Sequence, residues 1–271
     1  MDRRRILVPS EAKVPILGQS SGAERPKRQF TPSEGVRSFF IKTGLSNNAN
    51  GLAFLEVDDT IIEVSVFGPR PIKGSFIDRA SFSVECKFLP YITQPNELLY
   101  NGGASQGNGR SSLTPIEQKI STYLETAFLP ALMLEKYPKS TIDVFVNVLS
   151  FNSNTSSLLN LISWAVNCTS LALVDSGIEV RDLVTCGHVK YVEGKVELDP
   201  QISSENDSRI GTECCASFMA MKNNEVVALW IEGNDDTEVT EELLQTLTNA
   251  CEEMSGIVRQ NINGFLLQAA E

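Results

Sequence analysis

The segment LLNLISWAVNCTSLALVDSG, residues 158–177, constrains the fold more than any other stretch of this chain. Wound at 3.6 residues per turn, it shows apolar side chains on nearly every side. No face is left for water, so the helix must be buried. Gly177 supplies the stop, because glycine enters the left-handed conformation after a last turn at no steric cost. The run before it, KSTIDVFVNVLS, alternates apolar and polar residues and reads as a strand. Between strand and helix lies Phe151-Asn152-Ser153-Asn154-Thr155-Ser156-Ser157. It places hydroxyls and amides where the unpaired N–H groups of a helix start favour an anion, yet it carries no charge. A phosphate site, the remnant of one, and a plain helix cap all fit these residues.

The other elements follow from shorter patterns. RSFFIKTGL, GLAFLEV, TIIEVSVFG and SFSVECKF are β-branched and aromatic runs separated by turn residues, and predict four strands. Thr114-Pro115-Ile116-Glu117 begins a helix: Thr114 caps, Pro115 suits the first position and Glu117 completes a capping box. That helix is expected to run toward Tyr137, kinked or broken near Pro130. Further strands are expected over 179–193, around 213–221 and over 224–231. A last helix is expected from near Thr237 toward Ala270, with Leu243, Leu244, Leu247, Ala250, Cys251, Met254, Ile257 and Val258 on one stripe that packs onto the domain's own sheet. The Gly-rich stretch 101–110 lacks the G-K-[ST] ending of a phosphate loop and reads as a loop. The order strands, helix, strand, helix, strands, helix predicts an α/β (α+β) domain, a mixed sheet covered by helices. It occupies residues 35–271, behind an irregular basic extension over 1–34.

Composition narrows the function. No run of about 18 apolar residues exists, so no membrane span is expected. The six cysteines include no C-x-x-C pair, so no zinc or other metal site is expected, and they read as buried thiols of a reducing compartment. The one histidine, His188, sits in the strand-like TCGHVKYV and reads as structural. The net charge of −11 is uneven. Residues 1–28 hold seven Lys or Arg, among them Arg3, Arg4 and Arg5, against three acids, so the remainder carries −15. Phosphate contacts dominate nucleic-acid affinity, so a body this acidic is a poor RNA binder on its own. The Arg3–Arg5 leader is the candidate contact to RNA or to an acidic partner.

Several runs in order resemble the RNase PH family: RSFFIKTGL with NGLAFLEV, then VFGPRPIKGSF, YPKSTIDVFVNVLS and SLALVDSGIEVRDLV. The resemblance covers nearly all of the chain after residue 35. It implies a mixed central sheet flanked by helices (a βαβα-type, ribosomal protein S5 domain 2-like fold). It also implies phosphorolysis, in which inorganic phosphate attacks the last 3′ internucleotide bond of RNA. That chemistry needs cations for phosphate and RNA and a carboxylate as acid or metal ligand. The family's phosphate loop, G-[ST]-R, corresponds to Asn154-Thr155-Ser156, where Ser156 replaces the bidentate arginine. Thr122 and Glu125 stand where the family carries RNA-contacting arginines, and Glu125 is expected to repel RNA. The catalytic aspartate falls near Cys214, Cys215 or Ala216, with Glu213 and Asp207 close by.

With all three requirements missing, the resemblance implies a non-catalytic subunit needing no cofactor. Such members form the barrel of the eukaryotic RNA exosome. The implied partners are other RNase PH-like subunits in a hetero-hexameric ring, RNA-binding cap subunits and a hydrolytic nuclease. Single-stranded RNA passes through the channel, and the implied locations are nucleus, nucleolus and cytoplasm. An active phosphate-dependent 3′-to-5′ exoribonuclease and a free RNA-binding adaptor are the alternatives.

Overall fold

The structure, a computed structural model, describes residues 35–74, 76–92, 113–192, 194–202, 211–233 and 240–270. The basic extension with Arg3, Arg4 and Arg5, the Gly-rich stretch and Asp207 lie outside them. Two sheets are present among the described residues. The first contains β1 (Phe39–Thr43), β2 (Gly51–Val57), β3 (Thr60–Pro71), β4 (Ser81–Phe88) and β5 (Ser140–Ser150), in the spatial order β1-β2-β3-β5-β4. It is mixed: β4 runs parallel to β5 and the other pairs are antiparallel. The second, wholly antiparallel, contains β6 (Val184–Val192), β7 (Lys195–Leu198), β8 (Thr212–Met219) and β9 (Glu225–Gly233), in the order β7-β6-β8-β9.

Three helices join them. α1 (Pro115–Phe128) packs on β4 and β9, and α3 (Glu241–Ala270) on β6 and β8. α2 (Leu158–Asp175) contacts β2 and β3 of one sheet and β6 and β8 of the other, so it lies between the two layers. This explains its apolar girth. Trp164 is fully buried and meets Phe39 of β1 with ring centroids 5.1 Å apart. Gly177, at φ +71°, is the left-handed residue just beyond the last turn. α1 stops at Phe128, two residues before Pro130, and does not continue toward Tyr137; a short 3-10 turn over Leu134–Lys136 follows. Leu129 still holds helical angles and donates its N–H to the Glu125 carbonyl, but Pro130 has no N–H with which to continue the ladder, so the helix ends there.

Two helices also complete the hydrogen bonding of sheet edges. β4 is an edge strand, and its outward N–H groups would be orphaned. Glu117, Ser121 and Glu125, one α1 turn apart, accept them: Val84 N–H to Glu125 Oε1 at 3.0 Å, Cys86 N–H to Ser121 Oγ at 2.9 Å and Phe88 N–H to Glu117 Oε1 at 2.9 Å. Glu117 also closes the capping box with Thr114, as expected. The helix repeat sets four α1 residues, about 6 Å of rise, against two strand residues, about 6.6 Å. The two ladders therefore stay in step over three contacts.

α2 does the same for β6 below the point where β7 ends. Asn167 both donates to and accepts from the Cys186 backbone, at 3.1 and 2.9 Å, while Ser163 donates to the Cys186 carbonyl and Ser170 to that of Val184. A buried polar stripe, Asn160-Ser163-Asn167-Ser170, thus runs along a helix that reads as uniformly apolar.

Candidate functional site

The loop between β5 and α2 is organised by Asn152. Its backbone carbonyl accepts from the N–H groups of Thr155 and Ser156, both at 3.1 Å, and from the Thr155 hydroxyl at 3.2 Å. Its side-chain oxygen accepts from Asn154 N–H at 3.1 Å. Thr155 therefore does not cap the helix. Ser157, two residues further on, does: its hydroxyl accepts from Asn160 N–H at 3.2 Å. Asn154 is exposed, Thr155 half-buried and Ser156 only 3% exposed, so the side chain at 156 is enclosed by the loop.

Behind the loop, side chains from five regions meet. Arg37, preceding β1, grips Asp199 in bidentate fashion, Nε to Oδ2 at 2.8 Å and Nη2 to Oδ1 at 2.7 Å. Its backbone N–H donates to the same carboxylate at 3.0 Å. The fork geometry of arginine suits a carboxylate in this way. Arg37 Nη2 also donates to Asn160 Oδ1 at 2.6 Å, and Asn160 Nδ2 donates to Asp199 Oδ1 at 2.7 Å. These two contacts fix which way the Asn160 amide points, because turning it over would set oxygen against oxygen at Asp199.

The fixed amide in turn sets the state of His188. Asn160 Nδ2 lies 3.3 Å from His188 Nδ1, so that nitrogen accepts, and Nε2 carries a hydrogen. Nε2 points at Glu213 Oε2, 3.2 Å away, with the Ser157 hydroxyl at 3.5 Å. Lys190 Nζ reaches Glu213 Oε1 at 3.5 Å. Burial pushes the Glu213 carboxyl up, but the His188 hydrogen bond, then Ser157 and Lys190, outweigh it and hold the group at about 2. Burial likewise pushes Asp199 up, and its bonds to Arg37 and Asn160 hold it below the ordinary carboxylate range.

Both carboxylates are thus committed to internal cations and donors. Among the described residues, no group of three His, Cys, Asp or Glu side chains is arranged to hold a metal ion.

The residues singled out from the sequence fare differently. Glu125 does not face outward as a charge that repels RNA; its carboxylate is spent on the edge of β4. Thr122 is exposed and donates to the carbonyl of Gln118 within its own helix. Cys214, Cys215 and Ala216 are fully buried and none presents a polar group to the loop. Cys215 lies 3.2 Å from Cys186 sulfur to sulfur, and burial pushes its thiol up, the reverse of an activated nucleophile. Asp199, Arg37, Asn160 and Lys190 were missed as site residues. Asp199 stands in the stretch leading to β8, upstream of the positions expected for the aspartate. Asn160 was recognisable from the polar stripe that it heads.

A model of the 3′ exoribonuclease family, domain 1 (RNase PH), matches residues 35–179. The chain is 26% identical to the exosome complex component MTR3 of Chaetomium thermophilum, over 90% of this chain and 92% of that one. It is 28% identical to exosome complex component mtr3 of Schizosaccharomyces pombe, over 98% and 96% respectively. Rice (Oryza sativa) Rrp46 superposes with a TM-score of 0.66 at 20% identity, over 88% of this chain and 98% of that one.

Proposed function

The chain belongs to the RNase PH family of 3′ exoribonucleases, and on that premise we propose that it is a non-catalytic subunit of an RNA exosome barrel. Within that barrel it takes the place held by the fungal MTR3 components, the mRNA transport regulator subunit. Residues 35–271 form its RNase PH-like domain and 1–34 a basic extension. The observation that carries the reading is the closed state of the site: where phosphorolysis requires open cations and a disposable carboxylate, Asp199 is gripped by Arg37, and Glu213 by His188, Ser157 and Lys190. Asn154-Thr155-Ser156 is then a former phosphate loop, with an enclosed serine where a phosphate-binding arginine belongs.

A subunit without chemistry acts through its surfaces. It helps to form the channel through which single-stranded RNA reaches a hydrolytic nuclease, beside other RNase PH-like subunits and RNA-binding caps. The acidic body suits basic neighbours, and Arg3–Arg5 are the candidate contact to a cap or to RNA. The working places are nucleus, nucleolus and cytoplasm. Native mass spectrometry of the tagged protein from its own cells tests this. A complex with five RNase PH-like companions and caps is expected, and a lone monomer refutes it. Phosphate-dependent release of nucleoside diphosphates by the purified chain refutes the non-catalytic part alone.

A further inference from the structure

Glu213 stands on β8 with three donors converging on its carboxylate from two other elements. Ser157 belongs to the first turn of α2, where a negative charge is favoured by the unpaired N–H groups. His188 and Lys190 belong to β6; the imidazole is fully buried and the lysine side chain is 8% exposed. His188 and Ser157 do not owe their arrangement to Glu213. His188 is held as an Nε2 donor by Asn160, and Asn160 by Arg37 and Asp199. Ser157 is held by the helix it caps. Removing the carboxylate would therefore leave two preorganised donors beside the lysine, at a point that reaches solvent, since the Glu213 side chain is 13% exposed.

We propose that Glu213 is a built-in occupant of an oxyanion cradle formed by Ser157, His188 and Lys190, and that this carboxylate excludes inorganic phosphate from inside. The inference rests on the reading of the β5–α2 loop as a former phosphate site and adds how that site is kept shut. A carboxylate tethered to β8 competes intramolecularly, without the association cost that free phosphate must meet. It also satisfies the buried His188 Nε2–H.

The test compares the purified wild-type chain with Glu213→Ala and Glu213→Ser, which vacate the cradle, and Glu213→Gln, which leaves it filled. Melting temperature is followed against inorganic phosphate, with sodium chloride at matched ionic strength as control. Phosphate at ten times its dissociation constant is expected to raise the midpoint of the Ala and Ser variants by about 3–6 °C. Wild type and Glu213→Gln are expected to shift no more than with chloride, and adding Lys190→Met to Glu213→Ala is expected to abolish the gain. If Glu213→Ala is unfolded alone, recovery of its circular dichroism on adding phosphate supports the proposal, and absence of recovery counts against it. Folded Ala and Ser variants with no phosphate-specific shift overturn it, as does a wild type that responds equally. None of these outcomes bears on ring membership, which native mass spectrometry reads separately.

Discussion

Glu125 offers the sharpest discrimination between two roles for one residue. As a charge facing RNA it would be dispensable for folding. As the acceptor for Val84 N–H, beside Ser121 for Cys86 and Glu117 for Phe88, it closes an open sheet edge. A buried N–H left without a partner costs about 1–3 kcal/mol. The Val84 contact is only partly buried, so Glu125→Ala is expected to lose about 1–2 kcal/mol, the lower half of that range. Glu117→Ala also forfeits the capping box, worth about 1 kcal/mol, and is expected to lose about 2–4 kcal/mol. The triple variant Glu117→Ala, Ser121→Ala, Glu125→Ala should fall by about 4–9 kcal/mol and associate through the exposed edge of β4. Glu125→Gln is the informative control. Its amide oxygen still accepts, so its stability should stay within about 0.5 kcal/mol of wild type. Urea denaturation and light scattering read these outcomes, and filter binding to single-stranded RNA reads the rival. A Glu125→Ala variant as stable as wild type but tighter on RNA would refute the edge-capping role.

Three further outcomes are expected. Glu213 lies at about 2 in the fold against an ordinary 4.5, so its contribution is complete above pH 4.5 and fades as pH falls toward 2. Between pH 7 and pH 3 wild type should lose about 2 kcal/mol more than Glu213→Gln in denaturant titrations, and superimposable acid limbs would exclude the arrangement. Ser156→Arg should restore no phosphate-dependent RNA cleavage and should cost at least ~2 kcal/mol, since the guanidinium would have to enter an enclosed position; release of nucleoside diphosphates by this variant would place the lost site elsewhere. Gly187→Ala would set a Cβ 2.1 Å from the Cys251 carbonyl oxygen, backbone against backbone, forcing α3 away from β6. A loss of about 3 kcal/mol is expected, read as a lower melting midpoint.

The strands were legible because their period is short and their turns are marked by Asn, Asp and Gly; α2 was legible because it lacks a water-facing side. What escaped was the inward use of polar residues. Glu125 looks like a surface charge, since nothing local says that Val84 will present its N–H there across 41 residues. Asn160, Ser163, Asn167 and Ser170 are too few to dent the apolar character of α2, though their three- and four-residue spacing repeats that of an apolar face. Asp199, Arg37 and His188 are separated by up to 162 positions along the chain and meet only through the fold. Ser157 and not Thr155 caps α2 for a local reason: Asn152 takes the Thr155 hydroxyl into its own turn.

The closed site has a consequence for why such a fold persists without chemistry. A phosphorolytic site must leave cations and a carboxylate unsatisfied until substrate arrives, and unsatisfied buried charge destabilises the protein that carries it. Here the same region links Arg37 before β1, Asn160 at the start of α2, His188 and Lys190 on β6, Asp199 after β7 and Glu213 on β8. It therefore ties both sheets to the helix between them. On the proposed reading, each group removed from catalysis became a brace across that junction. Catalytic rescue should then be costly: freeing Glu213 or Asp199 for chemistry also unties the layers. A variant that gained phosphorolysis with undiminished stability would show that bracing and catalysis were never in competition.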